Sequence, residues 1–128
     1  MKVLLDTHVL IWALAEPGKL SETGRLAIEE PQNEILFSAA SIWEIALKKR
    51  LGRVDFAFPP HQIAKAAKES GFFELPVFAN AAALVEQLPL HHRDPFDHLL
   101  IAQAMSEPAR LFTVDPLFTR YSELVTLL

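Results

Sequence analysis

Four acidic residues stand at positions where a hydrophobic core has no need of a charge. Asp6 and Asp115 each end a short apolar run, and Glu44 and Asp97 lie among apolar residues on predicted helices. If these four side chains share one site, that site is strongly negative near neutral pH. Such a cluster persists only if it holds protons or binds a cation. Carboxylate oxygens favour a hard divalent cation, Mg²⁺ or Mn²⁺.

A divalent cation in such a cluster can activate water, orient a phosphate and stabilise a leaving oxygen, which is the chemistry of many nucleases. Each acid also has a structural explanation to set against this one. Asp6 and Asp115 are placed as helix N-caps, and Asp97 follows Asp94 by three residues, as in a capping box. Glu44 is hardest to explain as structure, because its neighbours along the helix are mostly apolar.

Short strands and helices alternate along the chain and must position these acids. We predict strands at 3–5, 34–37, 72–76, 110–114 and 124–127, and helices at 8–15, 21–30, 38–51, 61–70 and 80–88, with further helices starting at 95 and 116. This alternation predicts an α/β fold with a mostly parallel five-stranded sheet and helices on both faces. Ligands of such sheets bind at the carboxyl ends of the strands, where Asp6 and Asp115 are placed. Glu44 and Asp97, near the starts of their helices, are expected at the same edge.

Length and composition fit a globular protein with one domain over residues 1–128. Cysteine is absent, which excludes disulfides and thiolate metal sites. No apolar run approaches the roughly 20 residues of a membrane span, and Asp6 and His8 interrupt the stretch where a signal peptide would be apolar. We therefore expect a cytoplasmic protein with no membrane segment.

A basic stretch interrupts the acidic character of the chain, whose net charge is −4. Lys48, Lys49, Arg50 and Arg53 follow Glu44 within one short segment. A local stripe of this kind can attract phosphates and makes these four residues candidate RNA contacts. The alternative is a solvated helix end, where basic residues complement the negative end of the helix dipole.

Four segments resemble the motifs of PIN-domain ribonucleases, above all the VapC-type toxins of bacterial toxin–antitoxin pairs. The resemblance runs in the expected order from Leu4 to about Phe118, nearly the whole chain. Its most specific parts are Ser-Ile-Trp-Glu-Ile at 41–45 and Arg-Asp-Pro-Phe-Asp at 93–97. The resembling segments are 5–8, 38–46, 91–97 and 113–115.

The resemblance implies a three-layer α/β/α sandwich and a metal-dependent endoribonuclease, the toxin of a type II toxin–antitoxin system. Such an enzyme cleaves RNA phosphodiesters by metal-activated water, with Mg²⁺ or Mn²⁺ as cofactor. Asp6, Glu44, Asp97 and Asp115 match the four acidic positions of the family's metal and catalytic site.

Supporting residues and partners are implied in the same way. Thr7 and Thr113 match hydroxyl positions beside the site, and Ser38 and Ser41 precede the glutamate as expected. His98 departs from the pattern, since many relatives carry Arg there. The family also implies a cognate VapB-type antitoxin that blocks the site, and commonly a homodimer.

Other functions remain open on the sequence alone. Related folds use similar acids to cut DNA or flap-like substrates, and nothing in the sequence recognisably contacts a 2′-hydroxyl. A non-catalytic binding module, in which the acids only cap helices, is a third hypothesis. The five histidines fit a zinc site poorly, because they lack a His-Glu-x-x-His arrangement.

Overall fold

The computed structural model describes residues 1–91 and 94–128; His92 and Arg93, which belong to the third resembling segment, lie outside the described residues. The strands and helices alternate as predicted and begin and end close to the expected positions. The strands are β1 (Lys2–Leu5), β2 (Glu34–Ser38), β3 (Phe73–Leu75), β4 (Arg110–Thr113) and β5 (Val125–Leu127). The helices are α1 (Thr7–Ala15), α2 (Glu22–Glu29), α3 (Ala39–Arg50), α4 (Pro60–Glu69), α5 (Ala79–Leu84) and α6 (Pro95–Ser106). Short 3₁₀ helices cover Pro17–Lys19, Val54–Phe56, Val85–Gln87 and Pro116–Arg120.

The strands form one sheet in the order β3-β2-β1-β4-β5. All four pairings between the described strands are parallel, so the sheet is more regular than the mostly parallel one predicted. The central strand β1 pairs Leu5 with Phe37 of β2 and with Phe112 of β4. The carboxyl ends of these three strands therefore meet at one edge of the sheet, where the acids are expected.

Two hydrophobic layers cover the two faces of the sheet. Successive side chains of a strand point to opposite faces. Val3 and Leu5 pack into a core with Ile45 of α3, whereas Leu4 packs on the other side with Leu100 of α6. Helices on both faces of a parallel sheet make the predicted three-layer α/β/α sandwich.

Side-chain caps fix where several helices begin. Asp6 accepts a hydrogen bond from the backbone N–H of Val9, and Asp94 accepts one from the N–H of Phe96. Asp115 caps the following 3₁₀ helix in the same way. These caps agree with the structural explanation of the acids, and they also place the carboxylates at the sheet edge.

Glycines end two of the helices. Gly52 follows α3 with φ of 81°, and Gly71 follows α4 with φ of 87°. Only glycine adopts this left-handed backbone without steric cost, so each marks a sharp stop. Within residues 1–91 and 94–128, no helix is long and apolar enough to span a bilayer.

Candidate active site

The four predicted acids line one pocket of about 270 Å³ at the carboxyl edge of the sheet. Ser41 and Thr113, predicted to support them, lie just behind it and hydrogen-bond to residues of the pocket. Lys49 and Arg50 do not line it. The lining residues are Asp6, Thr7, His8, Glu44, Lys48, Arg53, Asp94, Asp97, Val114, Asp115 and Phe118.

Asp6 sits between β1 and α1, nearly covered by the surrounding structure. Its side chain accepts hydrogen bonds from the backbone N–H of Val9 at 2.8 Å and from Thr113 Oγ1 at 2.5 Å. Burial raises the pKa of Asp6 to about 6, although both hydrogen bonds favour the charged carboxylate and oppose that shift. Asp6 is therefore held in one orientation and still accepts a proton more readily than an ordinary aspartate.

Glu44 is 2% exposed on the second turn of α3, the most buried of the four acids. Thr7 Oγ1 donates to its Oε1 at 2.5 Å, and Lys48 Nζ donates to its Oε2 at 2.5 Å. Ser41 Oγ lies 3.0 Å from Thr7 Oγ1 and continues this hydrogen-bonded chain. A carboxylate so deeply buried is costly unless it is paired, and here both oxygens have partners.

Asp97 lies in the first turn of α6 and faces the other acids. Burial and the negative charges of Asp94, Glu44, Asp6 and Asp115 together raise its pKa to about 8. Near neutral pH, Asp97 is thus protonated in a large fraction of molecules that hold no cation. Protonation of Asp97 thus reduces the excess of negative charge that the other acids create in the pocket.

The basic stretch divides into two parts. Lys48 and Arg53 reach the pocket, whereas Lys49 and Arg50 are exposed at the end of α3. Arg53 Nη2 pairs with Asp55 at 3.1 Å. Burial lowers the pKa of Lys48, but the hydrogen bond and charge of Glu44 outweigh it and hold that pKa above its usual value.

A buried polar network links the start of α3, α6 and the residue after β3, and the sequence predicted only part of it. Ser38, which caps α3, donates to Gln103 Oε1 at 2.5 Å, and Gln103 Nε2 donates to the carbonyl of Pro76 at 3.2 Å. Ser38 belongs to a resembling segment, but Gln103 carried no motif. The available signal was that Gln103 is the single polar residue in the apolar run from Leu99 to Met105.

His98 follows Asp97 but turns away from the pocket. Its imidazole is buried, with Nε2 3.1 Å from the hydroxyl of Tyr121. His98 therefore packs α6 against the segment before β5. It does not take the place of an arginine in the pocket. His8 does line the pocket, and its imidazole lies edge-on to the ring of Phe56.

The donor atoms of the pocket suit a hard divalent cation, because they are mainly carboxylate and hydroxyl oxygens. The raised pKa of Asp97 also indicates a local surplus of negative charge that a cation would relieve. As the described side chains stand, no three of their His, Asp or Glu residues are arranged to hold a metal ion. Asp6 and Glu44 instead bind neighbouring hydroxyl, N–H and ammonium groups. The residues fit the cation by chemistry, and binding requires some of these partners to shift.

Comparisons with known proteins find similarity over most of the chain. The PIN domain model matches residues 3–124. Ribonuclease VapC22 of Mycobacterium tuberculosis is 36% identical over 117 residues, which cover 88% of this chain and 86% of that protein.

A solved structure has the same fold. It is the crystal structure of VapBC2 from Rickettsia felis bound to a DNA fragment from their promoter. The superposition has a TM-score of 0.69 at 18% identity and covers 100% of this chain and 98% of the other. Since the family model matches nearly the whole sequence, the chain belongs to the PIN domain family.

Proposed function

We propose that this chain is a metal-dependent endoribonuclease that acts as the toxin of a type II toxin–antitoxin system. The observation that carries the proposal is the meeting of Asp6, Glu44, Asp97 and Asp115 in one pocket at the carboxyl edge of a PIN-type sheet. The similarity to a protein named as a ribonuclease, over most of both chains, supports RNA as the substrate.

In this proposal Asp6, Glu44 and Asp97 hold Mg²⁺, or Mn²⁺ in its place, and Asp115 either binds directly or acts through water. When bound, the ion supplies an activated water and stabilises the leaving oxygen. The chain itself fixes the donor atoms. Thr113 and the N–H of Val9 orient Asp6, and the hydroxyl of Thr7 orients Glu44.

The proposed partners are RNA and a VapB-type antitoxin. The solved structure with the same fold is that of VapBC2 bound to a DNA fragment from their promoter, which supports a VapB-type antitoxin as a partner. An RNA substrate and such a partner are consistent with the cytoplasmic location expected from the sequence. A homodimer stays a prediction.

The test is cleavage of a single-stranded RNA by the purified protein with Mg²⁺, with Mn²⁺ or with EDTA. We expect cleavage with either ion, none in EDTA, and a loss of about a hundredfold or more in Asp6→Asn, because the change removes a charged oxygen that holds the ion. Glu86→Gln is the matched control, since Glu86 is exposed and does not line the pocket. Undiminished cleavage in EDTA or by Asp6→Asn would overturn the metal mechanism.

The same assay separates the two other functions considered. A DNA strand of the same base sequence is incubated in parallel, and preferential cutting of DNA would replace RNA as the substrate. A binding module whose acids only cap helices predicts no cleavage and no specific stabilisation by divalent ions. A melting curve with and without Mn²⁺ therefore distinguishes it from the enzyme.

A further inference from the structure

Lys48 is more enclosed than a lysine that binds RNA at the protein surface needs to be. Its side chain is 17% exposed, and its ammonium donates to Glu44 Oε2 and lies 3.6 Å from Asp94 Oδ2. Two rings also confine it, with Nζ 4.7 Å from the ring centroid of Phe56 and 5.6 Å from that of Phe96. The ammonium is therefore fixed inside the acid pocket by contacts from three separate parts of the chain.

These contacts distinguish Lys48 from its neighbour. Lys49 is exposed on the same helix and does not line the pocket. The ammonium of Lys48 binds an oxygen of Glu44, the acid that is hardest to explain as structure. A cation bound to that oxygen meets a positive charge already in contact with it.

We propose that Lys48 is a built-in counter-ion of the pocket, whose ammonium neutralises Glu44 in the metal-free protein and competes with the divalent ion for that carboxylate. This inference rests on the proposed function, because it presumes that the pocket binds a divalent ion. Asp94 provides a second acceptor within reach when the bond to Glu44 is released. Lys48 is thus a positioning residue that sets the affinity of the site for metal.

The charge argument gives the direction of the effect. A fixed positive charge close to the ion repels it, and in a partly buried pocket that repulsion is only weakly screened by salt. Removing the charge also leaves Glu44 buried without its ionic partner, which destabilises the metal-free protein. The same change should therefore lower stability without metal and raise affinity for metal.

The experiment measures Mn²⁺ and Mg²⁺ affinity by calorimetry at fixed ionic strength on the full chain. We expect Lys48→Met to bind either ion about tenfold more tightly than the wild type, and to gain more melting temperature from Mn²⁺. Lys48→Arg keeps the charge, and Lys49→Met removes an exposed one, so both should stay within about twofold of the wild type. Lys48→Gln is a second neutral variant that retains a donor for Glu44, and it should also bind more tightly.

The outcomes separate this inference from the proposed function. If the wild type neither binds the ions nor cleaves RNA, both the proposed function and the counter-ion role of Lys48 are overturned. If the wild type binds and cleaves, but both neutral variants bind the ions no more tightly than it does, only the counter-ion role is overturned. A purely structural lysine would lower the melting temperature in the variants and leave their metal affinity unchanged, which would also overturn it.

Discussion

Among the acids of the pocket, Asp97 shows most clearly that placing several carboxylates together costs electrostatic free energy. Its pKa is about 8 in the folded protein, against 3.8 as the ordinary value, because it is buried and faces other acids. Between these two pH values Asp97 holds its proton in the folded chain and loses it in the unfolded chain. The contribution of Asp97 to the free energy of unfolding of the metal-free protein therefore falls as pH rises through this window.

Asp97→Asn tests that pH dependence, since asparagine has nearly the same shape and no charge. In EDTA we expect the variant to be more stable than the wild type near pH 8, with a difference that shrinks towards pH 5. Urea denaturation at several pH values measures it, with Glu86→Gln as the control for a lost exposed charge. Parallel pH profiles for Asp97→Asn and the wild type would contradict a pKa near 8. Added Mg²⁺ should reverse the order, because the wild type then gains a ligand that the variant lacks.

The sequence could place the acids and, through the family resemblance, the hydroxyls of Thr7 and Thr113 beside them, but not the ammonium group that pairs with Glu44. Asp6 and Asp115 follow apolar strands, and this local pattern puts them at the sheet edge. The ammonium of Lys48, in contrast, is held by Phe56, Phe96 and Asp94, which are brought to it only by tertiary packing. The sequence therefore suggested an RNA contact for Lys48, whereas the geometry supports a role inside the pocket.

The start of α3 is tied to the C-terminal half of α6 by the bond between Ser38 and Gln103. Since α3 carries Glu44 and α6 carries Asp97, this network bears on the distance between two proposed ligands. Gln103 also donates to the carbonyl of Pro76, just after the edge strand β3. One buried amide thus connects β2, β3 and both helices.

Gln103→Leu should loosen that connection while keeping a side chain of similar size. We expect a loss of about 1–3 kcal/mol in the free energy of unfolding, because a buried hydroxyl and a carbonyl lose their partner. We also expect slower cleavage at saturating Mg²⁺, as the two helices settle at a different separation. Gln62→Leu on the exposed face of α4 is the matched control. If stability falls while cleavage stays at the wild-type rate, the network supports the fold without positioning the site.

The starts of the helices were more predictable than some of their ends. Asp6 and Asp94 are caps with clear sequence signals, and Gly52 and Gly71 mark sharp stops. The helix predicted at 80–88 instead ends as α5 at Leu84 and continues as a 3₁₀ turn to Gln87. No Gly or Pro marks that change, and only the packing around it decides where the α-helical hydrogen bonds stop. Strand order is likewise absent from local pattern, because it depends on which crossovers pack best.

The charge of the whole chain opposes the proposed substrate. A net charge of −4 repels RNA, and the pocket itself is lined by acids. Binding must therefore depend on local positive charge near the pocket. Lys49 and Arg50 provide it at the exposed end of α3, directly after the pocket lysine in the sequence.

The double variant Lys49→Gln, Arg50→Gln tests this distribution of charge. Each phosphate contact to single-stranded RNA adds about 0.7 to the slope of log affinity against log salt, so losing two contacts should lower that slope by about 1.4. Fluorescence anisotropy in the Asp6→Asn background measures binding without cleavage. Lys65→Gln, Lys68→Gln on α4 removes the same total charge from a different exposed surface and should leave the slope near that of the parent. An equal fall in both double variants would mean that RNA senses only the net charge, whereas a fall confined to α3 would locate the path of the RNA backbone beside the pocket.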